Sequence, residues 1–363
     1  MDQTIDRRNF VAGAAAAAAG ASLAFLGKNS QAALAAEDVS WDEECDVLVV
    51  GTGYAGLAAA YEAKKAGADV KLIEKLEVPG GNSMVADGDI AVCGSQAQKE
   101  QGVDDSIDTF IHDMQVAGLF LNDVEKCRVI AEKSNETWEW TLEMGATWDM
   151  NDAGEHYLYP YGGHSVKRSV VPEGETGAAI TWPLKGDAEK AGIQIYTALQ
   201  ATEFVTGDDG SIVAVKAVNP DGEEFEFTGK AFVLATGGFG GNLEMRMKYN
   251  PDLDENVKST DTVATTGDGI VMAEGIGADL VGMEWIQTYP TCDPVTGALL
   301  YICDMRLMDR GILVNEEGER FVEELERRDV ISNAIKEQTG NYAYLLWDKT
   351  GVDETGLFDN HPG

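Results

Sequence analysis

The sequence predicts an α/β fold built on a parallel sheet, and three observations carry that prediction. Residues 45–50 (CDVLVV) form a short, largely apolar run, the pattern of a buried parallel strand. A glycine turn follows at once, then an alanine-rich helical stretch from about Ala55 to Lys65, a break at Gly67 and a second strand over 68–73. Farther on, residues 231–236 repeat the theme, an apolar strand running into Gly237-Gly238-Phe239-Gly240-Gly241.

The first turn reads Gly51-Thr52-Gly53-Tyr54-Ala55-Gly56, which is G-x-G-x-x-G between a strand and a helix. Gly51 permits the tight turn, Gly53 lets backbone approach a pyrophosphate, and Gly56 lets the helix pack close to the strand. Phosphate then sits on the helix N-terminus, where backbone N–H groups and the dipole favour an anion. Glu74 ends the second strand, where a carboxylate accepts hydrogen bonds from ribose hydroxyls and disfavours a 2′-phosphate. A Rossmann-like dinucleotide site is the expectation.

Beyond Glu74, Pro79-Gly80-Gly81-Asn82-Ser83 is a second turn able to bring backbone against a ligand. Residues 107–145 read as helices with Trp138, Trp140 and Leu142 in the core. A glycine-rich loop over 162–177 carries His164, Lys167 and Arg168, and a helix follows near 181–192. The period then changes to two, predicting strands at 201–205, 212–219, 223–228 and 231–235, joined by Asp208-Asp209-Gly210 and Pro220-Asp221-Gly222 turns. Thr265-Thr266-Gly267-Asp268-Gly269-Ile270 opens a further helix through Ile276.

Residues 1–36 stand apart. Asp6-Arg7-Arg8-Asn9-Phe10-Val11 is a twin-arginine signature, followed by an apolar stretch over 11–26 and a cleavage-like Ala33-Leu34-Ala35-Ala36. Export to the periplasm or cell surface, with no stable membrane insertion after cleavage, is expected. A net charge of −36 leaves no basic patch for nucleic acid or an anionic membrane. Five scattered cysteines without C-x-x-C and four dispersed histidines predict neither a haem attachment nor a metal site.

Taken together these motifs resemble the FAD-binding fumarate reductase and succinate dehydrogenase flavoprotein family, in particular its exported soluble fumarate and urocanate reductases. Carrying the resemblance are 51–74, Gly80-Gly81-Asn82-Ser83, GGHSVKRS over 162–169, Ala235-Thr236-Gly237-Gly238, Thr266-Gly267-Asp268-Gly269, Gln287-Thr288-Tyr289-Pro290-Thr291 and 311–329. It implies FAD held noncovalently, because covalent members have a histidine near the glycine turn where this chain reads Asn82-Ser83-Met84. Gly51, Gly53, Tyr54, Ala55 and Gly56 would hold the pyrophosphate, and Glu74 with Lys75 the adenosine side. Gly81, Asn82, Ser83, Ala235, Thr236, Gly237, Gly238, Thr266, Gly267 and Asp268 would follow toward the flavin.

The resemblance also implies the reaction: reduction of an activated C=C bond in an unsaturated acid, with hydride from flavin N5 and a proton from the arginine at Arg328. Asp304 and Arg306 would relay that proton; the family's relay arginine falls on Leu307. Tyr289 replaces the histidine with which fumarate reductases bind a substrate carboxylate, and with Asp304 it favours a urocanate-like acid or another enoate over fumarate. Electrons would come from an external cytochrome or flavoprotein. The implied organisation is a signal at 1–36, an FAD-binding domain at 42–283 and the beginning of an inserted α+β capping domain at 284–363, C-terminally truncated. A 3-oxosteroid-type flavin dehydrogenase and an inactive flavin-binding fragment are the alternatives.

Overall fold

The computed structural model describes residues 43–151, 153–159, 163–299 and 311–355. The twin-arginine segment, Asp304, Arg306 and Leu307 lie outside them. In chain order the elements used below are β1 (Glu43–Val50), α1 (Tyr54–Lys65), β2 (Val70–Ile73), β3 (Ile90–Ala91), α2 (Ile107–Ala117), α3 (Val124–Glu143), β4 (Ser169–Val170) and α4 (Ala178–Lys190). They continue with β5 (Gln194–Tyr196), β6 (Gln200–Thr206), β7 (Ile212–Val218), β8 (Glu224–Leu234), α5 (Leu243–Tyr249), α6 (Asp268–Gly275), β9 (Gly311–Val314), α7 (Arg328–Lys336) and β10 (Tyr344–Trp347).

Two interleaved units result. The first comprises residues 43–82, Lys185–Gly238 and Gly267–Leu280. Its six-stranded sheet has the order β5-β2-β1-β8-β7-β6. Pairings from β5 through β8 are parallel and the last two antiparallel. The core of Leu48, Val50, Ile73, Phe204, Val215, Phe227 and Met272 lies against this sheet, and Val49 and Leu72, which alternate to its other face, are buried as well, which explains the unbroken apolar run that ends β1. Gly210 and Gly222 both take left-handed φ, 80° each, and supply the two hairpin turns expected there.

One expectation is corrected here. The strands predicted at 223–228 and 231–235 are a single strand, β8, running through Gly229 and Lys230. Gly229 is in register with Cys45 of β1, so the parallel ladder continues where composition alone places a break. Strand β5, absent from the sequence reading, adds the sheet's edge.

The second unit holds Ser83–Leu184, Phe239–Thr266 and residues 281–355. Caps start its long helices: the Ser106 hydroxyl accepts from Thr109 N–H and the Asp123 carboxylate from Glu125 and Lys126 N–H. Helix α3 buries Cys127, Ala131, Ser134, Trp138 and Thr141, a stripe with alternating spacings of four and three. Trp138 sits on that stripe and meets Trp148 edge to face at 6.3 Å, whereas Trp140 and Leu142 fall off it and are half-buried. Of the three expected core residues, only Trp138 is fully in the core. Among the described residues no helix is long and apolar enough to cross a membrane.

Candidate active site

In the first unit, the end of β1 forms a cradle. Gly51 has φ +104°, and a Cβ there would overlap the Ala235 carbonyl oxygen and lie 2.8 Å from its carbon. At Gly56 a Cβ would overlap the Gly51 carbonyl, 2.9 Å from its carbon. Ala235 N–H donates to Val50 O at 2.8 Å, which brings the second glycine turn beside the first. Gly53 caps α1 with no side-chain bond, and no acidic residue occupies the first turn begun by Tyr54 and Ala55. This amino end is suited to an anion. Gly81, Gly237 and Gly238 present open backbone: a Cβ on any of them meets nothing within 4 Å. The residues present therefore fit a dinucleotide whose phosphates approach main chain.

Glu74 is 8% exposed, and its carboxylate is anchored from three directions. Oε2 accepts from the Thr52 N–H at 3.1 Å and the Thr52 hydroxyl at 2.6 Å, and Oε1 from Leu76 N–H at 2.9 Å. Thr52, which no sequence signal singled out, also accepts from Gly80 N–H at 2.9 Å and so ties the two N-terminal glycine turns together. Lys75 pairs with Asp268 at 2.9 Å, and Gln200 donates to the same carboxylate oxygen. Gly267, at φ 79°, donates to Gly238 O at 3.0 Å and starts α6. A Cβ on Gly269 would overlap the Thr236 hydroxyl. Asn82 opens a short helix, and Ser83 and Thr266 belong to the second unit, where their carbonyls accept from Thr181 and Asn242.

In the second unit, geometry separates three arginines that composition cannot. Arg320 binds Glu324 through Nε and one terminal nitrogen, and Arg327 forms a two-pronged pair with Asp329 at 3.0 and 2.9 Å. Arg328, at the first turn of α7, makes no ion pair among the described residues. Its guanidinium donates to Gln287 Oε1 at 3.2 Å and lies over the Tyr289 ring, 4.8 Å from the centroid. The structure thus brings Arg328 and Tyr289 together and adds Gln287.

The loop after residue 162 holds a buried charge cluster. Arg168 is fully buried and donates to Asp105 through Nε at 2.9 Å and a terminal nitrogen at 2.6 Å, and to Asp113 at 2.5 Å. Its guanidinium also meets His164 Nδ1 at 3.0 Å and lies 4.5 Å from the centre of the Phe110 ring. Burial raises both aspartates, but hydrogen bonds outweigh it and hold them below the usual carboxylate range; Arg168 and Gln98 supply them to Asp105, Ser165 and Arg168 to Asp113. Burial, then the Arg168 charge, hold His164 below the usual imidazole range. Arg168→Met is expected to cost about 3–5 kcal/mol, because two buried carboxylates lose their counter-charge. The check is chemical denaturation, with the largest deficit at neutral pH, where both are ionised. In the native chain stability should fall as pH drops below 6.5, where unfolded but not folded His164 takes up a proton. It should fall again below 3.8 as the aspartates protonate.

A parallel sheet with this glycine cradle defines a dinucleotide-binding class of protein, and comparison with known proteins narrows it. Residues 46–362 match the FAD binding domain family. The chain belongs to this family of flavin-dependent oxidoreductases, and its cofactor is FAD. It is 47% identical over 316 residues to urocanate reductase from Eggerthella lenta, covering 86% of this chain and 51% of that protein. It is 34% identical to the probable fumarate reductase Ifc3 of Shewanella frigidimarina, over 84% of this chain and 51% of the relative. Among solved structures, the open conformation of a flavocytochrome c3 fumarate reductase superposes with TM-score 0.77 at 33% identity, covering 88% of this chain and 56% of that one. The chain spans about half the length of these relatives.

Proposed function

We propose that this chain serves the FAD-dependent reduction of an activated C=C bond in an unsaturated carboxylic acid. The acid is urocanate-like or another enoate rather than fumarate. The observation that carries this reading is the disposition of Arg328: its neighbours in the charged run are neutralised by their own carboxylates, while Arg328 is turned onto Gln287 and Tyr289. Identity of 47% to a urocanate reductase supports the substrate class. When bound, FAD supplies the hydride. Arg328 supplies the proton to the neighbouring carbon. A guanidinium is a weak acid, so its transfer must be driven by the basicity of the carbon centre and made good from a relay, for which Asp304 and Arg306 are proposed.

Noncovalent FAD at the residues from Gly51 to Asp268 given above, export by the twin-arginine route, the boundary at 283/284 and an external redox partner complete the proposal. Anaerobic titration of the photoreduced protein with urocanate, cinnamate and fumarate tests it; flavin reoxidation by urocanate or cinnamate in preference to fumarate is expected. If none of the three reoxidises the flavin, the reductase reading of this chain fails. Tyr289→His should move selectivity toward fumarate by about tenfold in relative kcat/KM, since an imidazolium can pair with a second carboxylate where a phenol cannot.

A further inference from the structure

Arg328 belongs to a segment with little inside the protein. Between Val314 of β9 and Ile331 of α7 every residue is exposed or half-buried except Glu324, which is 4% exposed. A chain segment usually enters a core by an apolar side chain, whereas this one enters by a carboxylate. Glu324 Oε1 accepts from the Leu313 N–H of β9 at 2.7 Å and from Arg320 Nε at 3.0 Å, and Oε2 accepts from Arg320 Nε at 3.1 Å and a terminal nitrogen at 2.6 Å. Burial raises the Glu324 carboxyl, but hydrogen bonds from Arg320 and then Leu313 outweigh it and hold it below the usual carboxylate range.

The two partners are unequal. Arg320 lies on the same segment, and its side chain is 50% exposed, so water screens the ion pair. Leu313 lies in β9, which is paired with β10, and its bond to Glu324 is buried. Before Glu324 the chain closes a tight turn, with Arg320 bridged to Val314 and the Asn315 N–H donating to Glu319 O. After it the next buried side chain is Ile331, beyond Arg328. Glu324 therefore sets where the run ahead of Arg328 lies, and with it the direction from which the guanidinium reaches Gln287 and Tyr289.

We infer that Glu324 is a positioning residue for Arg328: by accepting the Leu313 N–H, its side chain fixes the segment that aims the proton donor. This rests on the reductase reading of Arg328. It is tested in the full 363-residue chain with Glu324→Ala, which removes the acceptor, and Glu324→Gln, which loses the charge but keeps an oxygen for the Leu313 N–H. Glu324→Ala should lower kcat for urocanate or cinnamate by about 10- to 100-fold with KM changed less than about threefold, as when a reacting group is misplaced. Glu324→Gln should recover most of that loss, and in the Arg328→Ala background Glu324→Ala should lower kcat no further. Phenylglyoxal labelling mapped by mass spectrometry reads the placement of Arg328 without turnover. In Glu324→Ala, Arg328 should be modified about threefold faster or more as its hold on Gln287 and Tyr289 loosens, while Arg327, whose partner Asp329 moves with it, changes little. If the parent reduces no acid the reductase reading fails, and labelling alone decides whether Glu324 places Arg328. Should Glu324→Ala not fold, Glu324→Asp, one methylene too short to keep both partners, replaces it with the same expectations. Unchanged labelling of Arg328, a glutamine variant as impaired as the alanine one, or an equal further loss of kcat in the Arg328→Ala background would each overturn the inference.

Discussion

Arg328→Ala is expected to lower reduction of the unsaturated acid by roughly 10²- to 10⁴-fold in kcat, the usual span for removing a general acid. FAD content and melting temperature should be little changed, because Arg328 is exposed and its described polar contact is one 3.2 Å bond to Gln287. Arg327→Ala is the matched control. It removes an adjacent arginine of the same run, paired with Asp329, and should leave turnover within about twofold, as expected when an exposed ion pair is lost. Arg328→Lys should recover only a small part of the loss, since an ammonium cannot reproduce the planar stacking over Tyr289. Equal losses in the Arg327 and Arg328 variants would assign the effect to the charge of the run and not to a proton donor.

Gly56→Ala is expected to be strongly destabilising. The new Cβ would overlap the carbonyl oxygen of Gly51, a residue whose N–H donates to Ile73 O at 2.8 Å, and main chain held in this way cannot yield as a side chain does. A cost of about 3 kcal/mol or more is expected, at or beyond the upper end for overpacking, with loss of bound FAD. Gly238→Ala is the informative contrast. A Cβ there meets nothing and its backbone is not left-handed, so the apoprotein should melt normally, yet FAD affinity should drop if main chain must approach the cofactor at that point. The paired readouts are denaturant midpoint of the apoprotein and flavin retained after gel filtration. A Gly238→Ala protein that keeps full flavin affinity would remove Gly238 from the cofactor site.

The glycine cradle was legible because its causes are local: a strand, a turn needing positive φ at Gly51, and a helix that must start close to the strand. What made it rigid was not legible. Thr52 occupies a position of the motif where any residue is allowed, and its bonds to Glu74 and Gly80 span 22 and 28 residues. The same holds for Arg168, whose aspartates lie 63 and 55 residues away; no period or spacing encodes an ion pair of that reach. Choosing Arg328 over Arg327 needed family resemblance, since both sit in one charged run, and only side-chain direction tells them apart. Propensity failed at Gly229, where a ladder with a distant strand overrides a local breaker. The stripe on α3 would have excluded Trp140 and Leu142 had the four-three spacing been followed from Cys127.

Strand β8 also sets a clock. It lies directly against β1, and Thr228 donates to Glu43 O across 185 residues of chain. During synthesis at 5–20 residues per second, β1 must wait roughly 10–40 s for the strand that completes its ladder. The Gly51 turn, whose shape depends on Ala235, is unfinished for all of that time. A ribosome-bound chain arrested before residue 235 should therefore retain no flavin, however intact its N-terminal motif. Loading of the cofactor becomes a late event, and the interval before it is when β1's apolar edge is open to mispairing.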